Sequence, residues 1–199
     1  MVSSQEMQSS VKLGLSLDSH RLAADLDRII DEDYVPHFNK GYYAGDWSAV
    51  ALRSVGGESG KIYPDPTRTS EFADTPLLAR CPYVQEILGM MACPLQAVRF
   101  LRLAAGSIVK EHRDFRLSLD DGEVRLHVPV RTNDDVVFIL GGHRVVMQPG
   151  ECWYHDFTLP HSVHNAGQAD RIHLVMDCVV NDWLRSLITG SATSPTGQP

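Results

Sequence analysis

QAVRFLRL (96–103), GSIVKEH (106–112), EVRLHVPV (123–130), DVVFIL (135–140), HRVVM (143–147), ECWYHDF (151–157) and RIHLVMDCVV (171–180) are short runs rich in β-branched and aromatic residues. Each has the length of a strand, and Gly141-Gly142 and Pro149-Gly150 separate three of them as tight turns. Short strands in this number, with no helical period between them, predict an antiparallel barrel or sandwich over 96–182 rather than a parallel sheet.

Outward from this block the pattern changes. Towards the N-terminus, Asp18 or Ser19 can cap a helix with Leu22, Leu26 and Ile29/Ile30 on one face. WSAVALRSV (47–55) reads as a strand. Pro76 after Asp74-Thr75 opens a short helix, and Pro82 restarts it with Val84, Ile87 and Leu88 pointing inward. Residues 1–10 and 190–199 are polar or small and are expected to be loose ends. The prediction is one domain over 11–189: a mixed helical and strand part (11–95), then a β-barrel core (96–182). In class it is mainly β (α+β), with N-terminal helices flanking the barrel.

Composition narrows the partners. The chain has 199 residues, 43% of them hydrophobic, enough for one self-sufficient core. Eighteen Lys plus Arg against 25 Asp plus Glu give a net charge of −7, which argues against nucleic acid as a partner. No apolar run reaches the ~20 residues of a membrane span, and the first residues lack a secretory pattern. Cys81, Cys93, Cys152 and Cys178 show no paired spacing and read as free thiols in a reducing compartment. The expectation is a cytoplasmic protein.

Seven of the nine histidines lie between His112 and His173. In an extended segment residues two apart project to the same side, so His112 and Asp114 can point together into a barrel. One more imidazole would complete a facial triad with three open positions, the arrangement of non-haem iron(II) oxygenases. His155, His161 and His164 all stand where that third group is needed. Two further pairs, Arg125/His127 and Arg171/His173, follow the same alternation, with Leu126, Ile172 and Leu174 on the opposite face. Turned inward, Arg171 could hold a dianion through a bidentate carboxylate contact; turned outward, both pairs would simply be solvated.

Taken together and in order, AGSIVKEHRD, EVRLHVPVRTN, GECWYHDFTLPHSVHN and RIHLVMD resemble the aspartyl/asparaginyl β-hydroxylase family. The similarity is greatest to its small bacterial branch, which includes L-proline cis-hydroxylases. It runs from about Val98 to Asp177 and more faintly over 41–54. The resemblance implies a double-stranded β-helix (a jelly-roll, cupin-like barrel) using Fe(II), 2-oxoglutarate and O₂. It implies metal ligation by His112, Asp114 and His161, and cosubstrate binding by Arg171 and His127. It also implies that Arg102 and Arg125 are basic residues lining the substrate pocket, with Trp47 near its mouth. The animal enzymes lack the acidic ligand, so Asp114 aligns this chain with the bacterial ones.

The implied activity is hydroxylation of a small free amino acid or similar carboxylate, with release of succinate and CO₂. Two other readings compete. One is the same chemistry on an aspartyl or asparaginyl residue of a peptide, or on a carrier-tethered amino acid. The other is a non-oxidative cupin-like binding barrel, a class that usually carries two histidines and a glutamate in its first motif.

Overall fold

A computed structural model describes residues 9–62 and 71–192. Its strands are β1 (Ser10–Ser16), β2 (Val35–Pro36), β3 (Tyr43–Ala44), β4 (Trp47–Val55), β5 (Phe72–Asp74), β6 (Leu95–Leu103) and β7 (Ile108–His112). They continue with β8 (Glu123–Arg131), β9 (Val136–Leu140), β10 (His143–Val145), β11 (Glu151–His155), β12 (His161–Asn165) and β13 (Arg171–Val179). Three α-helices accompany them: α1 (Ser19–Leu26), α2 (Pro82–Met90) and α3 (Asp182–Ala192).

Among the described residues the strands form two antiparallel sheets. The larger runs β1-β11-β8-β13-β6-β4-β2, with β5 added beside β4; the smaller runs β10-β9-β12-β7-β3. This pair of facing sheets is the double-stranded β-helix.

Period-two alternation in the large sheet decides where the site forms. Val124, Leu126, Val128 and Val130 of β8 and Ile172, Leu174, Met176 and Cys178 of β13 point to one face. They pack there against Leu22 and Leu26 of α1, Val84 and Ile87 of α2, and Leu184 and Ile188 of α3. Each such side chain removed from water contributes about 1.5–3 kcal/mol, so this helix-covered face is the main core. The alternate residues, Arg125 and His127 of β8 and Arg171, His173 and Asp177 of β13, necessarily face the space between the sheets. Leu103, Val109, Leu117, Phe138, Leu140, Phe157 and Val163 form a smaller apolar cluster in that space.

Local chemistry explains the element ends. Asp18 caps α1 by accepting the His20 and Arg21 amides. Pro82 occupies the first turn of α2, where its missing N–H costs nothing. Gly150 turns β11 back at φ +84°, and a Cβ there would meet the Leu17 carbonyl oxygen at 2.4 Å.

Two expectations about the ends need correction. Ser10 already belongs to β1, which pairs with β11, and Gly190–Ala192 continue α3. The remainder of the ends expected to be loose, 1–8 and 193–199, lies outside the described residues.

Candidate active site

β7 and β12 are antiparallel neighbours whose register sets His161 opposite His112, with ring centroids 4.2 Å apart. His112 Nδ1–H donates to the Lys110 carbonyl at 2.8 Å, and His161 Nδ1–H donates to the Leu159 carbonyl at 3.0 Å. A carbonyl can only accept, so both rings carry a proton on Nδ1, and their neutral forms present a bare Nε2. Asp114 follows β7, fixed by its amide on the Phe157 carbonyl at 2.9 Å. Its Oδ1 lies 3.8 Å from His112 Nε2. The ligand atoms of His112, Asp114 and His161 fall within 4.8 Å of one another. Burial lowers the pKa of His161, keeping the ring neutral as metal ligation requires.

Of the other two candidate imidazoles, His164 is exposed, because positions i and i+3 of a strand face opposite ways. His155 is fully buried elsewhere, between Ser10 Oγ (2.9 Å) and Met147 Sδ (3.3 Å).

Behind Asp114 runs a chain of charges that is partly exposed at Asp114 and buried at Asp177 and Arg99. Arg125 Nη1 donates to Asp114 Oδ2 at 2.7 Å, and Arg125 Nε donates to Asp177 Oδ1 at 2.6 Å. Arg99 Nη1 donates to Asp177 Oδ2 at 2.8 Å. Burial alone would raise the Asp177 pKa, but the two guanidiniums outweigh it and hold the group at about 2. Asp177 therefore stays ionised and keeps both arginines aimed along the cavity wall.

The cavity has a volume of about 560 Å³, and the triad, Arg99, Arg125, His127 and Arg171 all line it. Three of its buried nitrogens, Arg99 Nε, His127 Nε2 and Arg171 Nε, have no hydrogen-bond partner among the described residues. Burial lowers the Arg171 pKa to about 10, which leaves it charged at neutral pH. Unpaired guanidinium donors on Arg99 and Arg171, beside a triad of two imidazoles and one carboxylate, fit an oxyanion ligand next to a divalent metal.

Trp47 is also on the wall, its ring stacked on His37 at 3.7 Å and 6.4 Å from His112. His37, which sequence reasoning did not single out, has its pKa lowered to about 4, by burial first and then by the charge of Arg99. Tyr42 stacks on the His112 ring at 5.3 Å.

Arg102 requires a correction. It lies on the opposite face of β6 from Arg99, bound to Asp31 Oδ1 (2.8 Å) and Ser48 Oγ (3.1 Å) and lying over Tyr34. It does not line the cavity; Arg99, three residues earlier, does. An odd separation along a strand reverses the face, so both cannot point inward.

Comparison with known proteins agrees with this geometry. The family model described as Aspartyl/Asparaginyl beta-hydroxylase matches residues 18–180. An L-proline cis-4-hydroxylase of Rhizobium meliloti (strain 1021) is 27% identical over 172 residues, covering 82% of this chain and 58% of that protein. An L-proline cis-3-hydroxylase of Streptomyces sp is 28% identical over 192 residues, covering 86% of this chain and 60% of that protein. The chain thus spans about three-fifths of the length of these curated relatives. A crystal structure of an oxidoreductase of the 2OG-Fe(II) oxygenase family from Burkholderia pseudomallei shares the fold. Its TM-score is 0.51 at 17% identity, covering 80% of this chain and 78% of that one. The family match runs through every segment that builds the cavity, from His37 to Asp177, and the chain belongs to the aspartyl/asparaginyl β-hydroxylase family.

Proposed function

We propose that this chain is an Fe(II)/2-oxoglutarate-dependent dioxygenase that hydroxylates a C–H of a small free amino acid or similar carboxylate, releasing succinate and CO₂. The observation that carries this reading is the convergence of two imidazoles and one carboxylate in a cavity that also holds the unpaired guanidinium nitrogens Arg99 Nε and Arg171 Nε. His112, Asp114 and His161 would hold the iron. Arg171 would hold the distal carboxylate of 2-oxoglutarate, with His127 beside it. When bound, iron with 2-oxoglutarate and O₂ supplies an oxidant able to attack an unactivated C–H.

The chain's own work is placement. Arg125 orients Asp114, and Asp177 orients Arg125. Arg99 and Arg125, both hydrogen-bonded to Asp177, are suited to the carboxylate of an amino acid, the role that the resemblance implies for Arg102 and Arg125. Trp47, His37 and Tyr42 wall the site and exclude water. With no helix among the described residues long and apolar enough to cross a membrane, and all four cysteines buried and unpaired, cytoplasmic residence is the reading we adopt.

The test is a panel of free amino acids assayed with iron(II) and 2-oxoglutarate for coupled succinate and hydroxylated product. Turnover of at least one member is expected, L-proline being the first to try because the relatives named above act on it. A panel with no turnover overturns the free-amino-acid reading. One observation favours a longer substrate, a peptide residue or a carrier-tethered amino acid: Phe38 and Phe115 line the cavity yet are 72% and 91% exposed.

Arg171→Ala tests the cosubstrate assignment. Removing one charged hydrogen-bonding group costs about 1.5–3 kcal/mol, or roughly ten- to a hundred-fold. The expected result is a KM for 2-oxoglutarate raised by that factor, with iron binding unchanged. An unaltered KM overturns the assignment.

A further inference from the structure

Three buried imidazoles stand behind the triad, and the hydrogen bonds around two of them fix where their protons lie. Arg171 and His173 are two apart on the inner face of β13, and Arg171 Nη2 is 3.2 Å from His173 Nδ1. A guanidinium nitrogen can only donate, so His173 Nδ1 is an acceptor and the ring carries its proton on Nε2. The same Nδ1 lies 3.3 Å from Nδ1 of His127, on the adjacent strand β8. Two bare ring nitrogens at that distance would repel, so a proton lies between them and shares the single His173 Nδ1 lone pair with the guanidinium N–H. His173 cannot supply it, so His127 must carry its hydrogen on Nδ1. Its Nε2, buried and without a partner among the described residues, is then a bare lone pair on a cavity-lining ring.

A bare lone pair is the wrong group for a carboxylate, since two acceptors facing each other repel. We propose that His173 is a positioning residue that locks His127 in its Nδ1–H form, so that 2-oxoglutarate binds only with uptake of a proton on His127 Nε2. This rests on the cosubstrate reading above.

The electrostatics run in the required direction. In the free protein, burial first, then His173, Arg171, His155 and Arg125 around the ring, hold His127 well below the ordinary imidazole pKa and therefore neutral. Arg171 and His173 face it from β13, His155 from β11 and Arg125 from its own strand. A carboxylate of the dianion beside Nε2 opposes that cationic field and stabilises the imidazolium. A group whose pKa is raised on binding takes up a proton between its free and bound values. Affinity for 2-oxoglutarate then weakens with rising pH across that window, by about tenfold for each pH unit.

The experiment is calorimetric titration of the iron(II)-loaded protein with 2-oxoglutarate, without oxygen, in several buffers of different ionisation enthalpy near neutral pH. About one proton taken up per cosubstrate bound is expected. His127→Gln should bind more weakly with no uptake. His173→Leu should release the tautomer, so that binding persists while uptake falls towards zero. His173→Asn, whose side-chain oxygen again accepts from both neighbours, should restore it. Binding by the unaltered protein without proton uptake overturns the proposal, as does uptake that survives in His127→Gln. Uptake undiminished in His173→Leu overturns the positioning role. Absence of any binding would sink the cosubstrate reading, and this inference with it.

Discussion

Asp114→Ala is expected to lose stoichiometric iron(II) binding and, with it, succinate formation. Asp114 is the only carboxylate in the triad, and its loss leaves two imidazoles facing a divalent cation. Loss of a group that merely supports a metal ligand typically costs 10–100-fold in affinity or activity, so removal of the ligand itself should cost more than about 100-fold. A second effect adds to the first. Arg125 Nη1, now bound to Asp114 Oδ2, would lose its partner there and put positive charge beside the place the metal should occupy. The fold should survive, because the Asp114 side chain is 28% exposed and Arg125 keeps its second carboxylate partner, Asp177. Metal analysis of purified protein, succinate detection and a thermal melt together separate these effects. A variant with full iron content and full turnover would show that the ligand assignment is wrong.

Much of this arrangement was legible in the sequence because strands advertise themselves by residue type and period. WSAVALRSV coincides with β4, and the seven apolar runs correspond to β6 through β11 and β13. β12 escaped because HSVHN has one β-branched residue in five. Its signal was the period itself, with His161, Val163 and Asn165 buried and Ser162 and His164 less so. β1 escaped because SVKLGLS begins inside a polar end, although Val11 and Leu13 alternate inward. The exchange of Arg99 for Arg102 has a different cause. β6 is covered by helices on one face and lines the cavity on the other, so no clean polar/apolar alternation reveals which arginine points inward. Asp177 was recognised as part of a motif but not as a partner. A buried guanidinium calls for an anionic partner, yet nothing local says that one stands 52 residues from Arg125 and 78 from Arg99.

That partnership is the basis of the second large effect, expected for Asp177→Asn. The substitution keeps volume and removes one charge from a site where the Arg99 and Asp177 side chains are each 3% exposed. Breaking a buried ion pair from one side typically costs 3–5 kcal/mol, because the stranded charge has neither water nor a partner. At about 2–4 °C per kcal/mol for a domain of this size, the melting temperature should fall by roughly 6–20 °C. The pH dependence follows from the same group. Its folded pKa of about 2 lies below the ordinary aspartate value, so its contribution is complete above that ordinary value and is lost as pH falls towards 2. The variant should therefore be less sensitive to acid than the parent while being less stable at neutral pH. Adding Arg99→Met to Asp177→Asn removes the stranded guanidinium and should recover part of the melting temperature. Catalysis should not recover with it, because Arg125 would still lack the anchor that aims it at Asp114. Recovery of both would mean that the chain of charges serves stability alone; recovery of neither would mean that Arg99 is not the charge Asp177 neutralises.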